Sequence, residues 1–336
     1  MCFFLKNLNA QGKCVVEFSG IMSTPAYAKV QDGAKLAREN HVDLILAVGG
    51  GSVSDCCKVI SAQANLNEDI WEMQYTKHTL PTKFIPLGTI VTLFGTGSEM
   101  NNGAVITHEE KKIKGALWGA QADFAFLDPS YTLSVPMQQV ISGAFDTLSH
   151  AMETYFGKPD ENNLSDDINE AVMRSVIRNI RVLLTDPENY DARSELARAS
   201  AMAENGVLKI GKVTDFQCHM LEHQLGAYTN CNHGAGLAVI HPVLYRHIYK
   251  SGTARFARFA QNVWGIAPKG SDGETAAGID ALAAFIKEIG LPTSFAELCI
   301  PADTDFRAVA DSTNITAGCC KKLTHDEIYE ILQECL

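Results

Sequence analysis

The chain has 336 residues, 46% hydrophobic and 20% charged, with 28 basic against 39 acidic side chains for a formal charge of −11. That length can bury one large or two ordinary cores, and the acidic balance, with a pI near 5.4, argues against nucleic-acid or membrane-surface partners. No apolar run approaches the roughly 18 residues that span a bilayer, the opening MCFFLK is too short for a signal peptide, and ten cysteines without a C-x-x-C pair fit small apolar residues in a reducing cytoplasm.

In chain order, KCVVEFSG reads as a first strand around Lys13–Phe18. A helix starts near Ser23-Thr24-Pro25, with a Ser/Thr cap before a proline, and runs to about Asn40. VDLILAV is a second strand, the Gly49-Gly50-Gly51-Ser52 turn opens a helix through roughly Ala64, and KFIPLGT is a third strand. This alternation implies a parallel sheet. The glycines permit close approach of a ligand to the backbone, and the N–H groups at the following helix start attract phosphate. The turn reads equally as an ordinary tight βα connection, because it is not the G-x-G-x-x-G fingerprint. Ser52 and Asp55 have capping-box spacing.

A second small-residue loop, Thr92 to Glu99, emerges at the same carboxyl edge of the sheet, and two loops converging there favour a nucleotide. Lys114 could supply a positive charge, whereas Lys111 and Lys112 form a solvated face. AVITH, KKIKGAL and ADFAFLD read as further strands. A helix then opens with Ser134 as cap and Pro136 in its first turn, and almost every later segment is helical, ending with Thr324 and Glu327 spaced as a capping box. The expected architecture is an α/β dinucleotide-binding domain with a parallel sheet over 1–132, followed by an all-α metal-binding domain over 133–336.

Within the helical part, Asp146 and His150 are four residues apart, as are His219 and His223, and His233 follows in CNHGAG. Helical residues four apart share a face, so a carboxylate and imidazoles from two helices can surround one divalent cation and leave a position for a substrate oxygen. Either pair alone reads more readily as a surface feature or a hydrogen-bonded core pair. Together, among Ala144, Phe145, Leu148, Met220 and Leu221, they need a charge partner, and a metal is the simplest one. Glu153 lies three residues beyond His150 and is a candidate acceptor behind a ligand.

GGGSVSD (49–55), TGSEMN (96–101), GAFDTLSHAMETY (143–155) and H-x-x-x-H followed by His233 together resemble the iron-containing (group III) alcohol dehydrogenases, most closely the butanol dehydrogenase-like branch. The resemblance spans essentially the whole chain and implies the dehydroquinate synthase-like fold. It implies Asp146, His150, His219 and His233 as metal ligands and His223 as the catalytic proton carrier lining the site. It places the cofactor pyrophosphate on Gly50, Gly51, Ser52 and Asp55, with further cofactor contacts from Thr92, Leu93, Thr96, Asn101 and Lys114. The activity implied is interconversion of primary alcohols such as butanol with their aldehydes, using NADH or NADPH and Fe²⁺, with Zn²⁺ or Mn²⁺ as alternatives, in a cytoplasmic homodimer. Against the family pattern, an opening strand, turn and most of a helix are expected to be missing, Ser54 replaces a bulky aliphatic residue, and Phe94-Gly95 replaces a small pair. The competing readings are a catalytically impaired metal-binding remnant and a cofactor-independent metallohydrolase.

Overall fold

A computed structural model describes residues 2–158, 162–267, 273–315 and 320–336, with backbone alone for 2–5 and 273–275. Helix α1 (Cys2–Ala10) is followed by α2 (Tyr27–Glu39), β1 (Ile45–Gly49), α3 (Gly51–Gln63) and β2 (Leu87–Val91). Then come β3 (Gly103–His108), β4 (Ile113–Trp118) and the short β5 (Phe124–Phe126). Strands β1, β2 and β5 form a parallel sheet in the order β1-β2-β5, with Ile45 opposite Leu87 and Gly88 opposite Phe124. Parallel neighbours need a crossover, and α3 supplies it between β1 and β2, packing on both. The central strand β2 is buried at every position, as expected of a strand flanked on both edges. Strands β3 and β4 pair separately as an antiparallel hairpin.

The named strands end at Phe126, and beyond them lie α4 (Met137–Tyr155), α5 (Leu164–Thr185), α6 (Tyr190–Glu204), α7 (Gln217–Thr229) and α8 (His233–Ile248). These are followed by α9 (Thr253–Asn262), α10 (Gly273–Glu288), α11 (Phe306–Ser312) and α12 (His325–Glu334). Apolar residues three and four apart build their shared core: Phe145, Leu148 and Met152 of α4, Met173, Val176 and Ile180 of α5, and Leu237, Ile240 and Leu244 of α8. The hairpin packs on α3 through β3 and on α7 through β4, so it joins the sheet-bearing part to the helices. The capping box at Thr324 and Glu327 is formed.

Several local expectations are corrected. Residues 13–18 form no strand. A strand exists through its ladder, and here Cys14 and Val16 are exposed while Phe18, with Ile21 beyond the segment, lies against the core under α2 and α3, the Lys29 ammonium 4.3 Å from the Phe18 ring centroid. Ser23 and Thr24 do not cap α2, whose N-cap is Ala26. The Ser23 carbonyl accepts from Ser52 Oγ at 2.7 Å, and Thr24 Oγ1 donates to Asn230 Oδ1 at 2.7 Å. Ser134 does not cap α4, because the helix starts directly after Pro136. Four of the eight cysteines with described side chains are buried and all eight are free; Cys2 and Cys319 lie outside the described side chains.

Candidate metal and cofactor site

Helix α4 presents Asp146 and His150 one turn apart, α7 presents His219 and His223, and His233 begins α8. Tertiary packing brings four of these groups to one point. The Nε2 atoms of His150, His219 and His233 each lie 3.4 Å from Asp146 Oδ1. Ligand atoms about 2.0–2.1 Å from a tetrahedral cation stand roughly 3.3–3.4 Å from one another, so the separations match a shared divalent ion. Asp146 Oδ1 and His219 Nε2 are buried and have no hydrogen-bond partner among the described residues, which is costly unless a cation takes them. Burial pushes the Asp146 carboxyl up, but the imidazoles of His233 and His150 outweigh it and hold it well below the ordinary value. Burial lowers His219, yet the carboxylates of Glu153 and Asp146 lift it to about 10. With protons alone, the site draws positive charge towards Asp146; a divalent metal meets the same demand.

Behind each of the three imidazoles stands a buried carboxylate. His219 Nδ1 meets Glu153 Oε2, His233 Nδ1 meets Glu222 Oε2, and His150 Nδ1 lies 3.1 Å from Glu204 Oε1. Such partners fix the tautomer and orientation of a metal-binding histidine. Glu153 is legible from its spacing to His150, whereas no spacing in the sequence marks Glu204 or Glu222. Glu222 also groups with His223 and His233 as a possible metal cluster, but that grouping shares the His233 imidazole, and Glu222 Oε2 already pairs with Lys114 Nζ at 3.2 Å. The His223 ring stands 5.3 Å from that of His233 and 6.0 Å from that of His219. Burial, then the charge of Lys114, holds its imidazole well below the ordinary value, so it is neutral.

This cluster lies in a cleft of about 600 Å³ that is also lined by Gly50, Gly51, Ser52, Asp55, Leu93, Thr96, Asn101 and Lys114. A Cβ on Gly51 would lie 2.2 Å from Thr96 Oγ1, so a bare backbone is required where α3 begins, and helix starts leave N–H groups for an anion. The Ser52–Asp55 capping box is absent because both side chains are used elsewhere. Asp55 accepts from Ser98 Oγ at 2.5 Å and from the Val105 N–H at 2.8 Å, holding the loop and β3 to α3. Asn101 is turned inward, accepting from Lys58 Nζ and the Gly103 N–H, each at 3.1 Å. Thr92 stands just outside the lining, its N–H donating to the Gly49 carbonyl at 3.0 Å. Phe94 packs with Val91 and Ala197. Gly95 sits against α4, where an added Cβ would come within 2.8 Å of the Gly143 backbone.

The chain matches the family description "Iron-containing alcohol dehydrogenase" over residues 4–129 and "Fe-containing alcohol dehydrogenase family, C-terminal" over 140–336. It is 36% identical over 339 residues to the probable NADH-dependent butanol dehydrogenase 1 of Bacillus subtilis, covering 99% of this chain and 87% of the relative. It is 37% identical over 291 residues to the NADPH-dependent aldehyde reductase YqhD of Escherichia coli, covering 85% and 75%. The crystal structure of NADH-dependent butanol dehydrogenase A from Thermotoga maritima superposes with a TM-score of 0.93 at 30% identity, covering 98% of this chain and 86% of that one. With both parts of the molecule matched, and with Asp146 and three imidazoles converging beside a glycine-lined cleft, this chain belongs to the iron-containing alcohol dehydrogenase family.

Proposed function

We propose that this protein is a metal-dependent NAD(P)H-linked alcohol dehydrogenase that reduces primary aldehydes such as butanal, and oxidises the corresponding alcohols. The observation that carries this reading is the equal 3.4 Å spacing of three imidazole nitrogens around Asp146 Oδ1, in the same cleft as the Gly50–Ser52 turn. The N₃O donor set accepts Fe²⁺, Zn²⁺ or Mn²⁺. When bound, such a cation polarises a carbonyl oxygen and reduced nicotinamide delivers hydride to the adjacent carbon.

The chain's own residues do the rest. Asp146, His150, His219 and His233 hold the cation, and Glu153, Glu204 and Glu222 orient the imidazoles. Gly50, Gly51 and Ser52 hold the pyrophosphate at the start of α3, while Leu93 and Thr96 wall the same cleft. His223 is buried, and its Nδ1 has no hydrogen-bond partner among the described residues, so the neutral ring is placed to take the proton an alcohol loses on oxidation and, in aldehyde reduction, to pass one from solvent to the substrate oxygen. A division between the two parts near residue 132 belongs to this reading. So does homodimer formation, supported by exposed Phe124 and Phe126 on the edge strand β5, and a reducing, cytoplasmic setting, supported by the free thiols. No helix of the described residues is long and apolar enough to cross a membrane.

The test is direct. Protein loaded with Fe²⁺ or Zn²⁺ is mixed with NADH or NADPH and butanal, and the loss of reduced-nicotinamide absorbance is followed. Butanal-dependent oxidation of at least one cofactor is expected. Stoichiometric metal without turnover for any combination overturns the proposal.

A further inference from the structure

Phe216 holds a backbone conformation that its residue type avoids. It is the N-cap of α7 with φ 55° and ψ 18°, in the left-handed region, which glycine and asparagine enter readily and aromatic residues do not. Its side chain makes no capping hydrogen bond, so the helix start gives no reason for a phenylalanine. Such an outlier persists only where its surroundings fix it, and both flanks are pinned here. The Asp215 N–H donates to the Glu153 carbonyl at 3.0 Å, the Cys218 N–H to Glu153 Oε1 at 2.7 Å, and the Met220 N–H to the Phe216 carbonyl at 3.0 Å.

The consequence is the position of the ring. Its centroid lies 5.7 Å from that of His150 and 5.0 Å from that of His219. The ring is only partly buried and lines the cleft with Thr214 and Met220. Lys209 Nζ sits 5.0 Å from the ring centroid and is itself tied to Glu204 at 2.9 Å, which limits the freedom of the ring further. A rigid apolar face therefore borders two of the four cation-binding residues.

We propose that Phe216 is a specificity-determining residue: its ring is the wall against which the carbon chain of the aldehyde packs, and it admits short unbranched chains while excluding bulk beside the carbonyl. This rests on the dehydrogenase reading above. One methylene in a hydrophobic pocket discriminates by about 10–200-fold, so removal of a whole ring should be plainly visible in the substrate profile.

The experiment compares Zn²⁺-loaded wild type, Phe216→Ala and Phe216→Gly on propanal, 2-methylpropanal and benzaldehyde. In parallel, binding of primary alcohols of increasing bulk to the Co²⁺-loaded proteins is read from the visible absorption of the metal. Phe216→Ala is expected to retain stoichiometric metal and to raise kcat/KM for the bulky aldehydes relative to propanal by about tenfold or more, with the alcohol-binding series shifting the same way. Phe216→Gly should melt above Phe216→Ala, because it alone relieves the left-handed conformation. An unchanged size profile in both assays with metal retained overturns the proposal, as does loss of metal from both variants, which would make the ring a prop for the histidines. If wild type reduces no aldehyde but its alcohol binding shows a size limit set by Phe216, the dehydrogenase reading falls and the wall stands. If aldehydes are reduced with an unmoved profile, the wall falls alone.

Discussion

A histidine that binds a cation needs a defined tautomer; carboxylates of α4 and α7 hydrogen-bond to His219 and His233, and that of α6 stands 3.1 Å from His150 Nδ1. Losing such a partner typically weakens metal binding by 10–100-fold. Glu204→Gln should therefore bind Zn²⁺ about 10–100-fold more weakly, measured by competition with a chromogenic chelator, while the fold is retained by circular dichroism; unchanged affinity would show that His150 orients itself. The roles of the two α7 histidines separate in the same way. His219→Ala should lose metal and aldehyde reduction together. His223→Ala should keep its metal and lose about 10²–10⁴-fold in turnover, the range for acid–base assistance, with elemental analysis and nicotinamide absorbance as the paired readouts. The i, i+4 pairs marked Asp146, His150, His219 and His223 as metal-capable, the family resemblance added His233 and set His223 apart as the proton carrier, and Glu153 follows from its position on the same helix face. Glu204 lies far along the chain from His150 without any periodic relation to it, and Glu222 reaches His233 only because α7 and α8 pack together. Those two partnerships exist only in the tertiary structure.

At the scale of elements, the loop after β2 and helix α4 meet without side chains between them. A Cβ on Gly143 would lie 2.3 Å from the Phe94 carbonyl oxygen, and the Gly95 N–H and Gly97 N–H both donate to Ser200 Oγ of α6, at 3.0 and 3.2 Å. Gly143→Ala must push the loop away, and overpacking of this kind costs about 1–3 kcal/mol. The expected outcome is about tenfold weaker cofactor binding by calorimetry, a lower Tm and unchanged metal content; normal cofactor affinity would refute the idea that this contact places the loop. The start of α5 is fixed differently, through fully buried Asp166, which pairs with Lys212 Nζ and with an Arg255 guanidinium nitrogen at 2.7 Å each. Burial pushes its carboxyl up, but the hydrogen bonds from Arg255 and Lys212 outweigh that and hold it below the ordinary value. A depressed carboxylate contributes its stability above the unfolded pKa of about 3.9 and loses it as pH falls through the folded value. Asp166→Asn should thus cost about 3–5 kcal/mol at neutral pH, with the gap to wild type closing below about pH 4 in denaturant titrations; a gap independent of pH would mean the charge is not what stabilises. Order and type of most elements were legible, because the runs around β1, β2 and the helices keep clear periods. The segment 13–18 was not, since apolar alternation describes a half-buried chain whether or not a neighbouring strand exists to pair with it.

Across the whole molecule, the cofactor cleft and the cation site share more than a boundary. Lys114 of β4 lines the cleft, and its ammonium pairs with Glu222 of α7, which in turn holds His233. Both Lys114 and Glu222 are buried, so the pair is poorly screened by solvent and a displacement of one is felt by the other. An anionic cofactor drawing on Lys114 must then change how Glu222 orients His233, and through it the affinity for metal. Thermodynamic linkage makes such an effect reciprocal: the factor by which metal alters cofactor affinity equals the factor by which cofactor alters metal affinity. Coupling free energies of this kind are commonly about 1–3 kcal/mol, or roughly 5–150-fold. Titration of NADPH into metal-free and Zn²⁺-loaded protein, and of Zn²⁺ into protein with and without NADPH, should return one common factor within that range. Lys114→Met should bring both factors towards one while leaving metal bound, because Asp146, His150, His219 and His233 are untouched. A coupling that survives in Lys114→Met would mean that the two sites communicate by another route, such as the contact between Gly95 and Gly143.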